Sequence, residues 1–276
     1  MQGSGDMTAV GTARGGITVL NAIGTGIGGA VGIDLPVVAW ASWGSGRSWS
    51  NYMDIPGRIV EAVSRVTGVQ EEYHVRVHSC IPPSRGLKSS SALVNSMIEA
   101  VLRLKGVNPD PITVARLGVE ASRIAGITVT GAYDDSLASK MPGVFITNNY
   151  TLEVIATHRA PRARVVILVP GRENPITSVD PGAFKAYKDL YMRAYKLAVE
   201  GKWLEAIPLN SLATLRATGL EDLWAPLEEV LTLPSTWSAG VSGKGPALFA
   251  ITSRPADVED LWRRHGDLVI TEIAGG

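Results

Sequence analysis

The chain has 276 residues, 45% hydrophobic and 19% charged, with 26 basic residues balancing 26 acidic ones. This length and composition suit one large or two modest compact domains. The balanced charge gives no electrostatic case for nucleic acid or an anionic membrane, and the single cysteine, Cys80, excludes an intrachain disulfide framework and a cysteine-rich metal site.

Met1 to Met7 lacks the charged start and apolar core of a secretory signal and reads as a loose leader. No apolar run is long enough to span a bilayer, and a cytoplasmic location is expected. Ile17 to Gly24 reads as a strand, Gly24 to Gly29 as a flexible turn, and Ile33 to Trp43 as the returning strand. Such a turn either reverses the chain or lets its backbone approach a ligand closely. Ile55 to Val66 has helical spacing, with Gly68 as its stop. Tyr73 to Ser79 alternates as a strand, with Cys80 expected as a buried or half-buried thiol at its end. His74 and His78 share one face of that strand, but no third metal ligand is apparent.

A glycine- and serine-rich loop comes next, Pro82-Pro83-Ser84-Arg85-Gly86-Leu87-Lys88-Ser89-Ser90-Ser91-Ala92, and runs into a helical pattern reaching Lys105. The first turn of a helix has unpartnered N–H groups and partial positive charge. A loop with few bulky side chains lets a phosphate reach them. Three hydroxyls and the Lys88 charge would add to such a cradle. The plain alternative is a polar loop with a serine cap.

Ile112 to Ala125 is the next helical stripe, ended by Gly126. Thr128 to Asp135 reads as a loop entering a short helix to Lys140. Its acidic pair, Asp134 and Asp135, either caps that helix or serves chemistry, since an aspartate can take or orient a hydroxyl proton during phosphoryl transfer. Val144–Thr147 and Leu152–Ala156 read as a hairpin across Asn148 to Tyr150. Val165–Val169 is a short buried strand. Helices are expected over Phe184–Glu200, Trp203–Thr218 and Leu220–Leu231. Strands are expected over Trp237–Val241, Ala247–Ile251 and Leu268–Ile273, with a helix near Ala256–His265. Between the first two of these strands lies a second glycine loop, Ser242-Gly243-Lys244-Gly245-Pro246. The mixture predicts an α+β chain of two domains, 1–160 and 161–276. A Gly-x-Ser-x-Gly elbow, a Gly-x4-Gly-Lys-Ser/Thr loop and a dinucleotide fingerprint are all absent.

The run Pro82 to Ala92 resembles the central motif of the GHMP kinase superfamily, Pro-x-x-x-Gly-Leu-Gly-Ser-Ser-Ala/Ser-Ala, departing from it only at Lys88, where that superfamily usually has glycine. The order of pieces is also similar: an N-terminal substrate segment, the phosphate loop, an acidic loop and a C-terminal glycine motif. Within the superfamily the chain looks like the archaeal-type shikimate kinases, through Ile23 to Asp34, Gly118 to Ser122, Thr128 to Asp135 and Ser242 to Ala247. One departure is Ile27, where that branch leads us to expect lysine.

The resemblance implies a GHMP kinase fold, with an N-terminal ribosomal-protein-S5-like ATP-binding domain and a C-terminal ferredoxin-like domain. It implies ATP- and magnesium-dependent phosphorylation of the 3-hydroxyl of shikimate, on the route to chorismate. Residues Pro82 to Ala92 would hold ATP. Ser90 and Glu120 would face the metal. Asp135 is the first choice for the catalytic aspartate and Asp134 the second. Substrate binding is expected at Asp34, Gly131, Ser242, Gly243, Lys244 and Gly245. The partners implied are small molecules, shikimate and ATP, and a homo-oligomer is left open. The residues themselves leave room for another acceptor, such as homoserine or mevalonate, or for a silent ligand sensor.

Overall fold

The structure is a computed structural model that describes residues 8–171 and 180–275. The leader expected over Met1 to Met7 lies outside the described residues.

The first sheet is built on a long hairpin, β1 (Thr8–Leu20) and β2 (Ile27–Trp43), paired antiparallel along most of its length. The other edge of β2 is shared. Val37 to Trp43 pair with β4 (Tyr73–Ser79), and Ile27 to Val31 pair with β5 (Val144–Asn148). β3 (Trp49–Ser50) extends the sheet beyond β4, and β6 (Glu153–His158) extends it beyond β5. Val37, Ala39 and Ala41 are buried on β2, alternating with more exposed neighbours, the period-two pattern of a sheet with one face on a core. β1 and β2 both start earlier than the sequence suggests. The glycines of these strands admit close neighbours. A Cβ on Gly11 would lie 2.1 Å from Ser96 O, and one on Gly16 would lie 3.1 Å from Lys88 Cγ.

Four helices cover this sheet. α1 (Gly57–Thr67) ends in a left-handed cap at Gly68 (φ 64°), as the sequence suggests. α2 (Ser89–Leu104) packs along β1 and buries Val94, Met97, Ile98 and Val101, each contributing about 1.5–3 kcal/mol of apolar burial. α3 (Pro111–Ile124) is capped by the Asp110 carboxylate, which accepts from Ile112 N and Thr113 N. α4 (Tyr133–Lys140) carries the acidic pair in its first turn.

The second sheet has the order β10-β7-β9-β8, all antiparallel, from β7 (Arg164–Val169), β8 (Thr236–Val241), β9 (Leu248–Thr252) and β10 (Asp267–Glu272). Helical segments fill the β7–β8 connection, and α9 (Pro255–Trp262) joins β9 to β10, giving a β-α-β-β-α-β order. The helix expected over Phe184–Glu200 is two, α5 (Pro181–Lys185) and α6 (Lys188–Val199), parted at Ala186 and Tyr187. α7 (Trp203–Thr218) matches its expected bounds, and α8 (Trp224–Leu231) is preceded by a single 3-10 turn over Glu221–Leu223. The main apolar core runs from Ile17 and Val31 through Val165, Ile167 and Phe249, and Ile33 bridges to Ile273. Cys80 is exposed rather than half-buried, its N–H held by Pro36 O just past the end of β4.

Candidate active site

A cavity of about 490 Å³ opens beside the N-terminus of α2, a volume suited to small-molecule ligands. The phosphate loop lines it with Pro83, Ser84, Gly86, Lys88, Ser89, Ser90 and Ser91. Leu87 and Ala92 are fully buried anchors, and Pro82 and Arg85 do not line the cavity. Leu87 O accepts from Gly16 N at 3.2 Å, and Arg85 O from Ala247 N at 3.2 Å, so the middle of the loop is tied to β1 and to the flank of β9. The N-terminal N–H groups of a 16-residue helix are thereby left beside three hydroxyls.

Lys88 explains the departure in the motif. It is the N-cap of α2 with φ 67° and ψ 22°, the left-handed conformation that glycine adopts without strain. A lysine there costs about 1–2 kcal/mol. Its Nζ lies 2.7 Å from Asp135 Oδ1, with side chains only 7% and 17% exposed. The contact is charge to charge without hydrogen-bond alignment. Gly16 makes room for the lysine stem.

Asp134 is 3% exposed and lines the cavity beside Asp135. Burial, reinforced by the Asp135 charge, pushes its carboxyl up to about 7, while Lys88 and the Asn149 hydrogen bond pull it back. Gly28, at the start of β2, makes room for this carboxyl: a Cβ there would sit 2.4 Å from Asp134 Oδ1. Asn149, in the β5–β6 turn, donates from Nδ2 to Asp134 Oδ1 at 2.8 Å. Nothing in the Asn148 to Tyr150 run marks it out, because all its side-chain partners but Thr147 lie 15 to 19 residues back along the chain.

The remaining expectations divide. Gly243 and Lys244 line the cavity. Asn21 joins them, donating from Nδ2 to Gly243 O at 2.8 Å, and Thr18 Oγ1 accepts from Gly243 N at 2.7 Å. Burial lowers Lys244 to about 8. Ser242 and Gly245 do not line the cavity. Ser242 is fully buried and donates to Gly86 O at 2.9 Å, so this part of the second loop backs the first. Gly131 also lies outside the lining, packed under the Arg123 guanidinium with φ 99°. Asp34 is exposed within the β1–β2 bulge, after Ile33 pairs with Gly15 and before Pro36 pairs with Arg14, and it does not reach the cavity. Glu120 is exposed too. The cavity-facing residue of α3 is Ser122, about 200° further round the helix. Ser90 lines the cavity as expected.

A profile described as the GHMP kinases N terminal domain matches residues 54–143. The chain is 36% identical to the shikimate kinase of Pyrococcus furiosus over 275 residues, covering 96% of this chain and 99% of that one. It is 37% identical to the shikimate kinase of Aeropyrum pernix, covering 94% and 95%.

The chain belongs to the shikimate kinases of the GHMP superfamily.

The fold of this GHMP kinase is shared with solved relatives. Lactococcus lactis galactokinase complexed with galactose superposes with a TM-score of 0.71 at 14% identity, covering 98% of this chain and 94% of that one. The mevalonate kinase of L. major in complex with R-mevalonate gives 0.70 at 13%, covering 97% and 96%. No helix among the described residues is long and apolar enough to cross a membrane.

Proposed function

We propose that the chain transfers the γ-phosphoryl group of ATP to the 3-hydroxyl of shikimate, giving shikimate 3-phosphate and ADP. The observation that carries this reading is the buried Lys88–Asp135 pair, set between the phosphate loop and the acidic loop in one cavity. In this reading the α2 N-terminus and Ser89 to Ser91 hold the phosphates. Asp135 accepts the proton of the attacking hydroxyl, and Lys88 offsets negative charge on the transferring group. Lys88 thereby stands in for the lysine that the branch leads one to expect at Ile27, supplied from a different element.

Magnesium, when bound, supplies charge neutralisation on the triphosphate. It keeps waters and phosphate oxygens as most of its ligands. That fits this chain, where no cluster of three or more acidic, His or Cys groups exists among the described residues and Ser90 offers one hydroxyl. Glu120 has no place in that set. The division of the chain at residues 160 and 161 is part of this proposal, supported by one sheet on each side. So is a cytoplasmic location.

The test is ADP release measured in parallel with shikimate, homoserine and mevalonate. Turnover is expected with shikimate alone; turnover with homoserine and none with shikimate overturns the reading. Asp135→Asn is expected to lower kcat about 10²–10⁴-fold with ATP binding largely kept.

A further inference from the structure

Asn149 is fully buried, and every polar atom of its side chain and backbone amide is committed. Its Oδ1 accepts from Tyr133 N at 3.2 Å, Asp134 N at 3.4 Å and Thr147 Oγ1 at 2.6 Å. Two of these are backbone N–H groups, which only donate, so the atom facing them is the amide oxygen. The other end is then fixed as NH₂. It donates to Asp134 Oδ1 at 2.8 Å and to Thr130 Oγ1 at 3.3 Å. The main chain is pinned as well: Asn149 N donates to Gly26 O at 2.9 Å, and Arg123 Nη2 donates to Asn149 O at 2.7 Å. The amide therefore cannot flip without turning donors against donors.

An NH₂ group cannot accept a hydrogen bond, so Asp134 Oδ1 carries no proton. A proton on this carboxyl must sit on Oδ2. The carboxyl itself cannot swing toward β2, where it already lies against Gly28. The charged groups around it are Asp135 on its own helix and Lys88 from the phosphate loop, with Arg123 of α3 bound to the Asn149 carbonyl. Gly28 of β2 lies against the carboxyl and Thr147 of β5 holds Asn149, and neither is titratable.

We propose that Asn149 is a positioning residue of the acidic pair: it confines a proton on Asp134 to Oδ2, while the burial of Asp134 and the Lys88 ion pair at Asp135 divide the two carboxyls into an acid, Asp134, and a carboxylate, Asp135. Two neighbouring carboxyls with different surroundings can take opposite roles in this way. The inference rests on the reading that the pair faces the acceptor hydroxyl. During transfer the acceptor oxygen forms its bond to the γ-phosphorus as the bond to the ADP oxygen breaks, and the hydroxyl proton passes to Asp135. Asp134 keeps its own proton and offers O–H as a donor. Burial and the Asp135 charge, which push Asp134 up to about 7, make that proton present near neutrality. The active form is protonated at Asp134, so activity is expected to fall as pH rises through about 7.

The pH profile of kcat tests this. The Asn149 hydrogen bond favours the ionised carboxyl, so Asn149→Ala is expected to move the alkaline limb to higher pH and to lower the plateau at least tenfold, with KM for ATP within about threefold. A lower plateau with an unmoved limb would make Asn149 merely structural and overturn the proposal. Asp134→Asn covers the case in which the first variant does not fold. Its amide oxygen must face Asn149, which leaves an NH₂ where the O–H was, and the limb near pH 7 should vanish. A limb that persists in this variant overturns the assignment. The free protein gives a readout that needs no acceptor: an infrared carboxylic-acid C=O band that titrates near pH 7 and is lost in Asp134→Asn. Its absence from the wild type overturns this inference and leaves the shikimate reading standing; failure of the acceptor panel leaves the band unaffected.

Discussion

The two glycine loops are made of the same residue types and behave in opposite ways. Residues 82–92 turn four serines, Gly86 and Lys88 to the cavity. Residues 242–246 commit their serine to Gly86 O and bring Gly243 to within 3.1 Å of the Gly86 backbone, measured from a Cβ built on Gly243. The difference lies in the element each loop leads into. The first enters a helix, whose leading N–H groups have no intrahelical partner and are free for a ligand. The second joins two paired strands and satisfies much of its own backbone, with Ser242 N donating to Ala247 O and Gly245 N to Ser242 O, both at 2.9 Å, while Gly243 and Lys244 still line the cavity. Gly86 and Gly243 both serve the approach of one loop's backbone to the other's, so the loops differ through the elements they lead into rather than through their glycines.

Three substitutions probe this contrast. Lys88→Gly should have the largest effect, because it keeps the left-handed cap and removes only the cation. Turnover is expected to fall about 10²–10³-fold, as for loss of one group that stabilises charge in the transition state, while thermal stability holds or rises as strain is released. Near-normal turnover would show that the first loop works through its backbone alone. Gly86→Ala strikes the junction between the loops. Its Cβ would lie 2.1 Å from Ser242 O at a φ of 84°. Overpacking and left-handed strain together should cost about 2–5 kcal/mol in a denaturant melt. A loss below about 1 kcal/mol, the worth of a single hydrogen bond, would mean the loops part easily. Ser242→Ala should be mildest, costing about 1 kcal/mol for one hydrogen bond. If it abolished turnover with stability intact, Ser242 itself would have to touch substrate.

Much of this was legible in the sequence because local rules and tertiary structure agree. The serine loop entering α2, the stop at Gly68, the bounds of β4 and α7 and the acidic first turn of α4 all come from caps, glycines and periodicity. Glu120 failed on helix phase, since only the packed structure shows that Ser122 is the cavity-facing residue. Asp34 failed because it falls in a bulge that cross-strand pairing alone defines. Asn149 stayed hidden because an asparagine in a hairpin turn has a sufficient local explanation, and its five side-chain hydrogen bonds are distributed over residues 130 to 147. The purpose of Lys88 was equally invisible, as its partner Asp135 lies 47 positions away, counted from the two residue numbers.

The Ser242–Gly86 hydrogen bond spans 156 positions of chain. During synthesis the phosphate loop emerges long before its backing strand pair exists, and contacts of such separation close late in folding. A nascent or truncated chain that lacks residues 242–246 therefore carries the nucleotide motif without the support that shapes it. Enzymatic competence arrives with the last quarter of the polypeptide, and a half-made chain has no finished site in which to squander ATP.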